Sequence, residues 1–423
     1  MSEHLSLSVR EARASLSRVI EPGDLLGCLM VSLLGPQTAW ELIRAESAPP
    51  ASYQQGVAEA AERAGLSQRQ RSLRHGLARW RTRVRQADGP RDLRRIRQLG
   101  GDLLIPEDAA WPRQLDELHP AAPLGLWFRT APAGASPQHP MEELSTRMPA
   151  PHRRVAVVGA REMTDYGARV AYELSEELAS HGVAIISGGA YGIDAAAHRG
   201  ALAAARAADH RSAPTLAVLA GGVDRLYPAG NERLLQAISG RGLLLSELPP
   251  GASPTRHRFL HRNRIIAGLS AATVVVEARV RSGALSTANH ALALSRPVGA
   301  VPGDIHSAAS AGTHRLLQEA PAHLVTNALD IVHMISSADV MPTAAAAPAQ
   351  PKLTDAQPLR DRLDRMSEPD RLLYDAFPRR RLITPGRLAE EAGLPVPQVL
   401  SGLTRLQANG LVRASNGEWG RCE

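Results

Sequence analysis

The sequence predicts an α/β protein, a doubly wound and mostly parallel sheet preceded by a helical domain and followed by a winged helix. Three observations carry this. RRVAVVGAR, VAIISGGAYGID and TLAVLAGGVDRLYP follow one another between Arg153 and Pro228 as apolar, β-branched runs that break at glycine and pass into helical pattern. Before about residue 98 the apolar spacing is helical throughout. Near the far end, ITPGRLAEEAGLPVPQVLSGLTRLQANGLVRASNGEWGR reads as helix, turn at Gly393, helix, then a strand pair turning at Asn416-Gly417.

Composition bounds the reading. With 423 residues the chain is long enough for two or three domains with real cores. The net charge is +7 and Lys352 is the sole lysine, so the positive charge is almost all arginine. A GC-rich genome accounts for an Ala- and Arg-rich composition; it does not account for where the arginines lie. Cys28 and Cys422 match no metal-ligand or redox spacing and read as free thiols in a reducing compartment. With no signal peptide and no apolar run of spanning length, a cytoplasmic protein without a membrane partner is expected.

Residues 1–98 read as a helical domain of the SAM or helix-hairpin kind. LLGCLMVSLLGPQTAWELI splits at Gly35-Pro36 into two short helices joined by a tight turn, more often a packing unit than a nucleic-acid clamp. From Arg69 to Arg97 eleven arginines face only Asp88 and Asp92, a local charge of +9 against +7 for the whole chain. A solvated helix face explains such a run; as a basic footprint it makes Arg79, Arg81, Arg83 and Arg85 candidate auxiliary contacts to an anionic polymer.

Residues 99–130 form a short αβ segment, with Leu103–Ile105 and Leu124–Phe128 as strands, and 131–151 read as a linker. The central domain covers 152–335. Further strands are expected at Gly242–Leu245, Ala272–Glu277 and Arg296–Val301, with helices at Tyr166–His181, Ile193–Ala208, Asn231–Ser239, Arg262–Ser270 and Ser286–Leu294. Residues 336–357 are a second linker, and 358–423 the winged helix. Its recognition helix, Pro397–Asn409, carries only Arg405, which favours a protein contact over a DNA contact.

Glycine at the carboxyl end of a parallel strand lets backbone N–H groups approach an anion. Gly159, Arg161, Ser187, Gly188 and Gly189 are therefore candidate phosphate contacts, with Gly192 supplying the turn. HRFLHRNRII adds Arg258, Asn263 and Arg264 to that set, and Phe259 as a ring for base stacking. The bland readings stand beside these: Arg161 in a surface ion pair with Glu162 or Asp165, Phe259 in the core, and Arg262 paired with Glu277. Asp194 reads as a helix cap, His198 as a packing residue, and Glu247 and Glu277 as loop anchors. GG-x-x-G lacks the spacing of a dinucleotide site, and no P-loop, nucleophile elbow or metal-ligand cluster appears, so neither cofactor nor metal nor catalytic residue is expected.

Across 95–330 the chain resembles the DprA/Smf DNA-processing proteins. The resemblance rests on VVGAR at 157–161, SGGAYGIDAAAH at 187–198, LAGGVDRLYP at 219–228 and LLSELPPG at 244–251. It continues in RNRIIAGLS at 262–270, VVVEARVRSGALSTA at 274–288 and VGAVPGD at 298–304. It implies an extended Rossmann-like sheet and a homodimer. It also implies a non-catalytic mediator that binds single-stranded DNA and helps load the RecA recombinase during DNA uptake. The chain departs from the pattern at Gly312-Thr313-His314, where the family usually has Gly-Thr-Asn. An enzymatic alternative, a phosphoribohydrolase-like nucleotide enzyme, needs a continuous PGG-x-GT-x-x-E loop, whereas here Pro302-Gly303-Asp304 and Gly312-Thr313 are apart. A scaffold acting only through the winged helix would need no basic pocket.

Overall fold

The computed structural model describes residues 8–131, 139–204, 213–338, 368–378, 382–415 and 417–422. The first domain is built of helices α1 (Val9–Val19), α2 (Leu25–Leu34), α3 (Pro36–Arg44), α4 (Ala51–Arg63), α5 (Leu73–Arg81) and α6 (Gly89–Gln98). Ser8 and Glu11 form a capping box on α1. Gly35 adopts φ 79° and Pro36 opens α3, so α2 and α3 meet at a 118° bend. Among the described residues no single helix is long and apolar enough to cross a membrane.

A nine-stranded sheet follows, with strands β1 (Gly101–Leu104), β2 (Leu126–Arg129), β3 (Arg154–Val158), β4 (Ala184–Gly188), β5 (Thr215–Val218), β6 (Leu243–Ser246), β7 (Ala272–Val275), β8 (Val298–Ala300) and β9 (Ala322–Leu324). Their spatial order is β1-β2-β6-β5-β4-β3-β7-β8-β9. The β1–β2 and β2–β6 pairs are antiparallel and the rest parallel. Side chains alternate across the sheet, and both faces are buried. Ala156, Val158, Ile186 and Val275 enter one core, Val155, Val157, Ile185 and Val274 the other.

Between the strands lie α7 (Pro140–Arg147), α8 (Asp165–Ser180), α9 (Ile193–Ala204), α10 (Glu232–Arg241), α11 (Arg256–Leu269), α12 (Ala284–Ala293), α13 (Ala311–Glu319) and α14 (Ala328–Ala338). Helix α7 falls inside the stretch expected to be a linker: Pro140 starts it, Glu142 and Glu143 favour its first turn, and Leu144 is fully buried. Helix α11 starts six residues earlier than the pattern suggested. Thr255 caps it, its Oγ1 accepting from the Arg258 N–H at 3.3 Å, and no glycine or proline interrupts the turns up to Gly268. Strand β9 and helices α13 and α14 were not read from the sequence. The expected extension of α9 to residue 208 and most of the second linker lie outside the described residues.

The helical domain is not a separate bead. Ala14 of α1 and Leu93 and Ile96 of α6 share one core with Leu103, Trp127, Ala217 and Leu244 of the sheet. The last unit has α15 (Glu368–Asp375), α16 (Pro385–Ala392), α17 (Val396–Ala408) and an antiparallel pair of β10 (Val412–Ser415) with β11 (Glu418–Arg421). Gly393 ends α16 in the left-handed region at φ 64°, and Ile383 bridges to Trp419. This is the helix, turn, helix and hairpin order expected of a winged helix, although Asn416 lies outside the described residues.

Candidate nucleic-acid interface

The sheet runs outward from β3 in two directions, β4 to β6 on one side and β7 to β9 on the other. The crevice of such a fold opens where that direction reverses, beyond the carboxyl ends of β3 and β7. Here the Ala160 N–H donates to the Glu277 carbonyl at 2.7 Å, and the Ile193 N–H donates to the Ala160 carbonyl at 3.1 Å. A Cβ on Gly159 would overlap Ile193 and the Glu277 carbonyl, so glycine is what allows the three loops to meet. Gly192 is constrained twice, by φ 80° and by the Ala160 and Arg161 carbonyls against its Cα.

Arg161 projects from this junction into solvent, its guanidinium carbon 4.7 Å from the centre of the half-buried Phe259 ring. Tyr227, about half exposed, faces Phe259 with ring centres 6.2 Å apart and planes tilted by 56°. Tyr191 is also about half exposed, and its hydroxyl accepts from the Gly230 N–H at 3.2 Å. The backbone N–H groups of Arg161 and Tyr191 have no acceptor among the described residues. The mouth of the crevice thus offers two free amides, a guanidinium and three aromatic rings.

Beneath it lies a charged layer. Arg262 is buried, donates to the Val218 carbonyl, and lies under the Phe259 ring at 5.7 Å. Burial pulls its pKa down to about 10, with the neighbouring Asp194 opposing the fall. Burial in turn raises the pKa of Asp194 against the attraction of Arg262. Arg262 makes no ion pair with Glu277, whose carboxylate is held by Thr164; Asp194 is the buried charge neighbouring Arg262. Gly188 is required here because a Cβ would overlap the Arg262 guanidinium. Asn231, almost fully buried, donates its amide to the Gly189 and Ala190 carbonyls at 3.0 and 2.9 Å and so fixes the Gly189–Gly192 loop.

Several expected phosphate contacts are engaged elsewhere. Ser187 is fully buried and its hydroxyl donates to the Val157 carbonyl at 2.6 Å. Arg264 forms a two-pronged ion pair with Glu247 at 2.5 and 2.7 Å, with 4% of its side chain exposed. Burial alone would lower its pKa; the Glu247 carboxylate outweighs that and raises it. Arg258 grips Glu21 of the first domain at 2.7 and 3.0 Å, and Glu21 also pairs with Arg83. Burial would raise the Glu21 pKa, but these two guanidiniums hold it well below the ordinary carboxylate range. Asn263 is buried and donates to the Gly283 carbonyl at 3.1 Å. Arg264 lies on nearly the opposite side of the helix from Arg262, and Arg258, one turn before Arg262, is drawn to Glu21, so these arginines do not share one groove.

The auxiliary set needs the same correction. Arg79 pairs with Asp24 at 2.5 Å, Arg81 donates to the Leu42, Ile43 and Ser47 carbonyls, and Arg83 is buried on Glu21. Of the four, Arg85 alone is exposed with no partner among the described residues. The anchors behave as read: Glu277 accepts from the Thr164 N–H at 3.0 Å and hydroxyl at 2.5 Å, tying down the start of α8. His198 is fully buried, with Nδ1 2.6 Å from the Thr215 hydroxyl, and burial drops its pKa to about 3. His314 replaces the usual asparagine with its Nε2 at 3.1 Å from the Gly303 carbonyl, holding the Pro302–Asp304 loop. Cys28 and Cys422 are free thiols.

The sequence profile of the DNA recombination-mediator protein A family matches residues 102–336. A DNA processing protein DprA of Mycobacterium tuberculosis is 41% identical over 389 residues, covering 90% of this chain and 93% of that one. The chain belongs to this family. The Smf protein of Escherichia coli is 34% identical over 275 residues, 63% of this chain and 67% of its own length. Among solved structures, DNA processing protein A from Streptococcus pneumoniae overlays with a TM-score of 0.57 at 28% identity, covering 78% of this chain and 98% of that one. Tyr191, Tyr227 and Asn231 were not among the site residues expected from the sequence, although tyrosines at the tips of glycine loops were a visible signal.

Proposed function

We propose that the protein is a non-catalytic mediator that binds single-stranded DNA at the crevice between β3 and β7 and, as a homodimer, delivers RecA to the strand. The observation that carries this is the Arg161–Phe259–Tyr227 stack beside the amides of Arg161 and Tyr191. A phosphate accepts from the guanidinium and the amides, and an unpaired base packs against the aromatic pair of Phe259 and the half-exposed Tyr227. Gly159 and Gly189 let the crevice loops pack against Ile193 and Leu235, which a Cβ at either position would overlap. A duplex hides its base faces and has nothing to stack there.

The non-catalytic reading is supported by the nearby carboxylates. Asp194 is buried near Arg262, Glu247 is paired with Arg264 and Glu277 is held by Thr164. A scaffold without DNA affinity is disfavoured by the same stack, which has no role in a purely protein-binding molecule. Gel shifts with single- and double-stranded oligonucleotides at several salt concentrations test the proposal. Single strands should bind more tightly, irrespective of base sequence, with log affinity falling by about 0.7 per neutralised phosphate. Equal affinity for duplex and single strand would overturn it.

A further inference from the structure

Helix α6 lies against the loops that border the crevice. Its Arg95 forms an ion pair with Asp224 at 2.7 Å, and the same carboxylate accepts from the Gly251 N–H at 2.7 Å. The next residue, Arg225, is exposed and donates to the Ser253 hydroxyl at 3.1 Å. The Ser253 carbonyl accepts from Arg258, whose neighbour is Phe259. A chain of direct contacts therefore connects α6 to the aromatic stack.

On α6 the residues Asp92, Leu93 and Ile96 turn inward, Asp92 onto Arg18 and the two apolar side chains into the core shared with the sheet. The outward positions are Arg91, Arg94 and Arg95, neighbours at spacings of three and four. Arg91 and Arg94 are exposed, and their side chains have no partner among the described residues. This differs from Arg79, Arg81 and Arg83, which are spent on Asp24, backbone carbonyls and Glu21. Two unspent guanidiniums of the Arg69–Arg97 run thus stand together on one helix face that reaches toward Arg225.

Resting on the function proposed above, we infer that Arg91, Arg94 and Arg95 form a second segment of the strand-binding surface. The backbone of single-stranded DNA leaving the Phe259–Tyr227 stack crosses Arg225 and continues along α6. Guanidiniums with unspent donors on a solvated face recognise phosphates without regard to base, and they add affinity only when the strand is long enough to reach them. Of the acids nearest the path, Asp92 and Asp224 are each paired with an arginine, and Asp88 accepts from the Arg91 N–H as the cap of α6.

The test is fluorescence anisotropy with oligothymidylates of about 6 and about 20 nucleotides, bracketing the site sizes usual for single-strand binders. The wild type should bind the long strand more tightly than the short one, with a steeper salt dependence. Arg91→Gln/Arg94→Gln should leave the short strand unaffected and weaken the long one roughly five- to tenfold at low salt, flattening its salt slope by about 1.4 for two lost phosphates. Arg91→Lys/Arg94→Lys should restore most of that slope, and melting temperatures should be unchanged. Undiminished long-strand binding by the Gln variant would overturn the inference, as would a loss confined to duplex DNA or to an acidic protein partner. Failure of the wild type on the short strand, with the long strand bound and sensitive to the Gln variant, would instead remove the stack as primary site.

Discussion

The Arg161 guanidinium sits 4.7 Å above the Phe259 ring, and Arg262 lies 5.7 Å from the same ring. Both guanidiniums hold the half-buried ring within cation–π range, and Tyr227 packs beside it at 6.2 Å between ring centres. Phe259→Ala should cost about 1–3 kcal/mol of single-strand affinity, the range for one stacked base, and Phe259→Tyr should retain it. Arg161→Ala should cost about 1.5–3 kcal/mol, as for hydrogen bonds to charged groups. Neither should shift the melting temperature by more than a degree or two's worth of surface change, since both side chains reach the surface. Titration of a labelled oligonucleotide against each variant measures this; full affinity in Phe259→Ala would show the ring to be packing alone.

Arg264 and Glu247 predict the opposite pattern. Their paired groups are almost wholly enclosed. Removing one partner strands the other charge, so Arg264→Ala or Glu247→Ala should lose about 3–5 kcal/mol of stability. Guanidinium unfolding curves report the loss, and strand affinity of the folded fraction should stay near wild type. Lost affinity at unchanged stability would return Arg264 to the binding surface.

Strand positions in the central sheet were legible because β-branched runs ending in glycine have few other solutions, and the glycines located the crevice. Arginine roles were not. Arg258 finds its partner Glu21 at a separation of 237 residues, and Arg264 finds Glu247 at 17, so neither pairing leaves a local signal. Reading HRFLHRNRII as one basic groove failed because Thr255 starts a helix there and distributes successive side chains around its axis. The α6 face was hidden for a similar reason: eleven arginines looked alike until the fold showed which ones had acids to answer them.

The buried histidine predicts acid sensitivity. His198 has a folded pKa of about 3, below the ordinary value of 6.5, because burial penalises its charged form. Its neutral form therefore supports the fold fully above pH 6.5, and that support drains as the pH falls toward 3. Between pH 6.5 and 5.0 the loss for one such group approaches about 2 kcal/mol. His198→Gln should be less stable at pH 7 but show a flatter decline over this interval. Chemical denaturation at successive pH values decides it; parallel declines in the two proteins would mean that other groups carry the effect.

Asn231 is expected to act on DNA without touching it. Its amide holds the Gly189 and Ala190 carbonyls, which orient the Tyr191 amide and ring at the crevice. Asn231→Ala leaves two buried carbonyls without a donor, costing about 1–3 kcal/mol of stability, and should also weaken strand binding several-fold. Asn231→Asp should be worse, since a carboxylate cannot donate to a carbonyl. Saturating oligonucleotide should recover part of the melting temperature in Asn231→Ala, because a bound strand holds the loop from outside. No affinity loss in Asn231→Ala would detach this loop from the site.

Removal of residues 357–423 gives the last prediction. The helix of that unit expected to read DNA, α17, contributes Arg405, and Arg405 is committed to Asp370 at 2.6 and 2.9 Å. What α17 shows to solvent instead is Val396 and Leu400, one turn apart and each nearly half exposed. Apolar side chains of this kind favour a protein surface over phosphates. The unit touches the rest of the molecule where Arg83 donates to the Glu391 carbonyl at 3.3 Å and where Leu372, Ala392 and Gly393 line a small cavity with His257. Truncation should therefore leave affinity for a short oligonucleotide within about twofold, while Val396→Asp/Leu400→Asp in the full chain should abolish a protein association and spare DNA. Anisotropy on the truncated protein is the deciding measurement: abolished single-strand binding with an intact melting transition would transfer the DNA-binding role to the C-terminal unit.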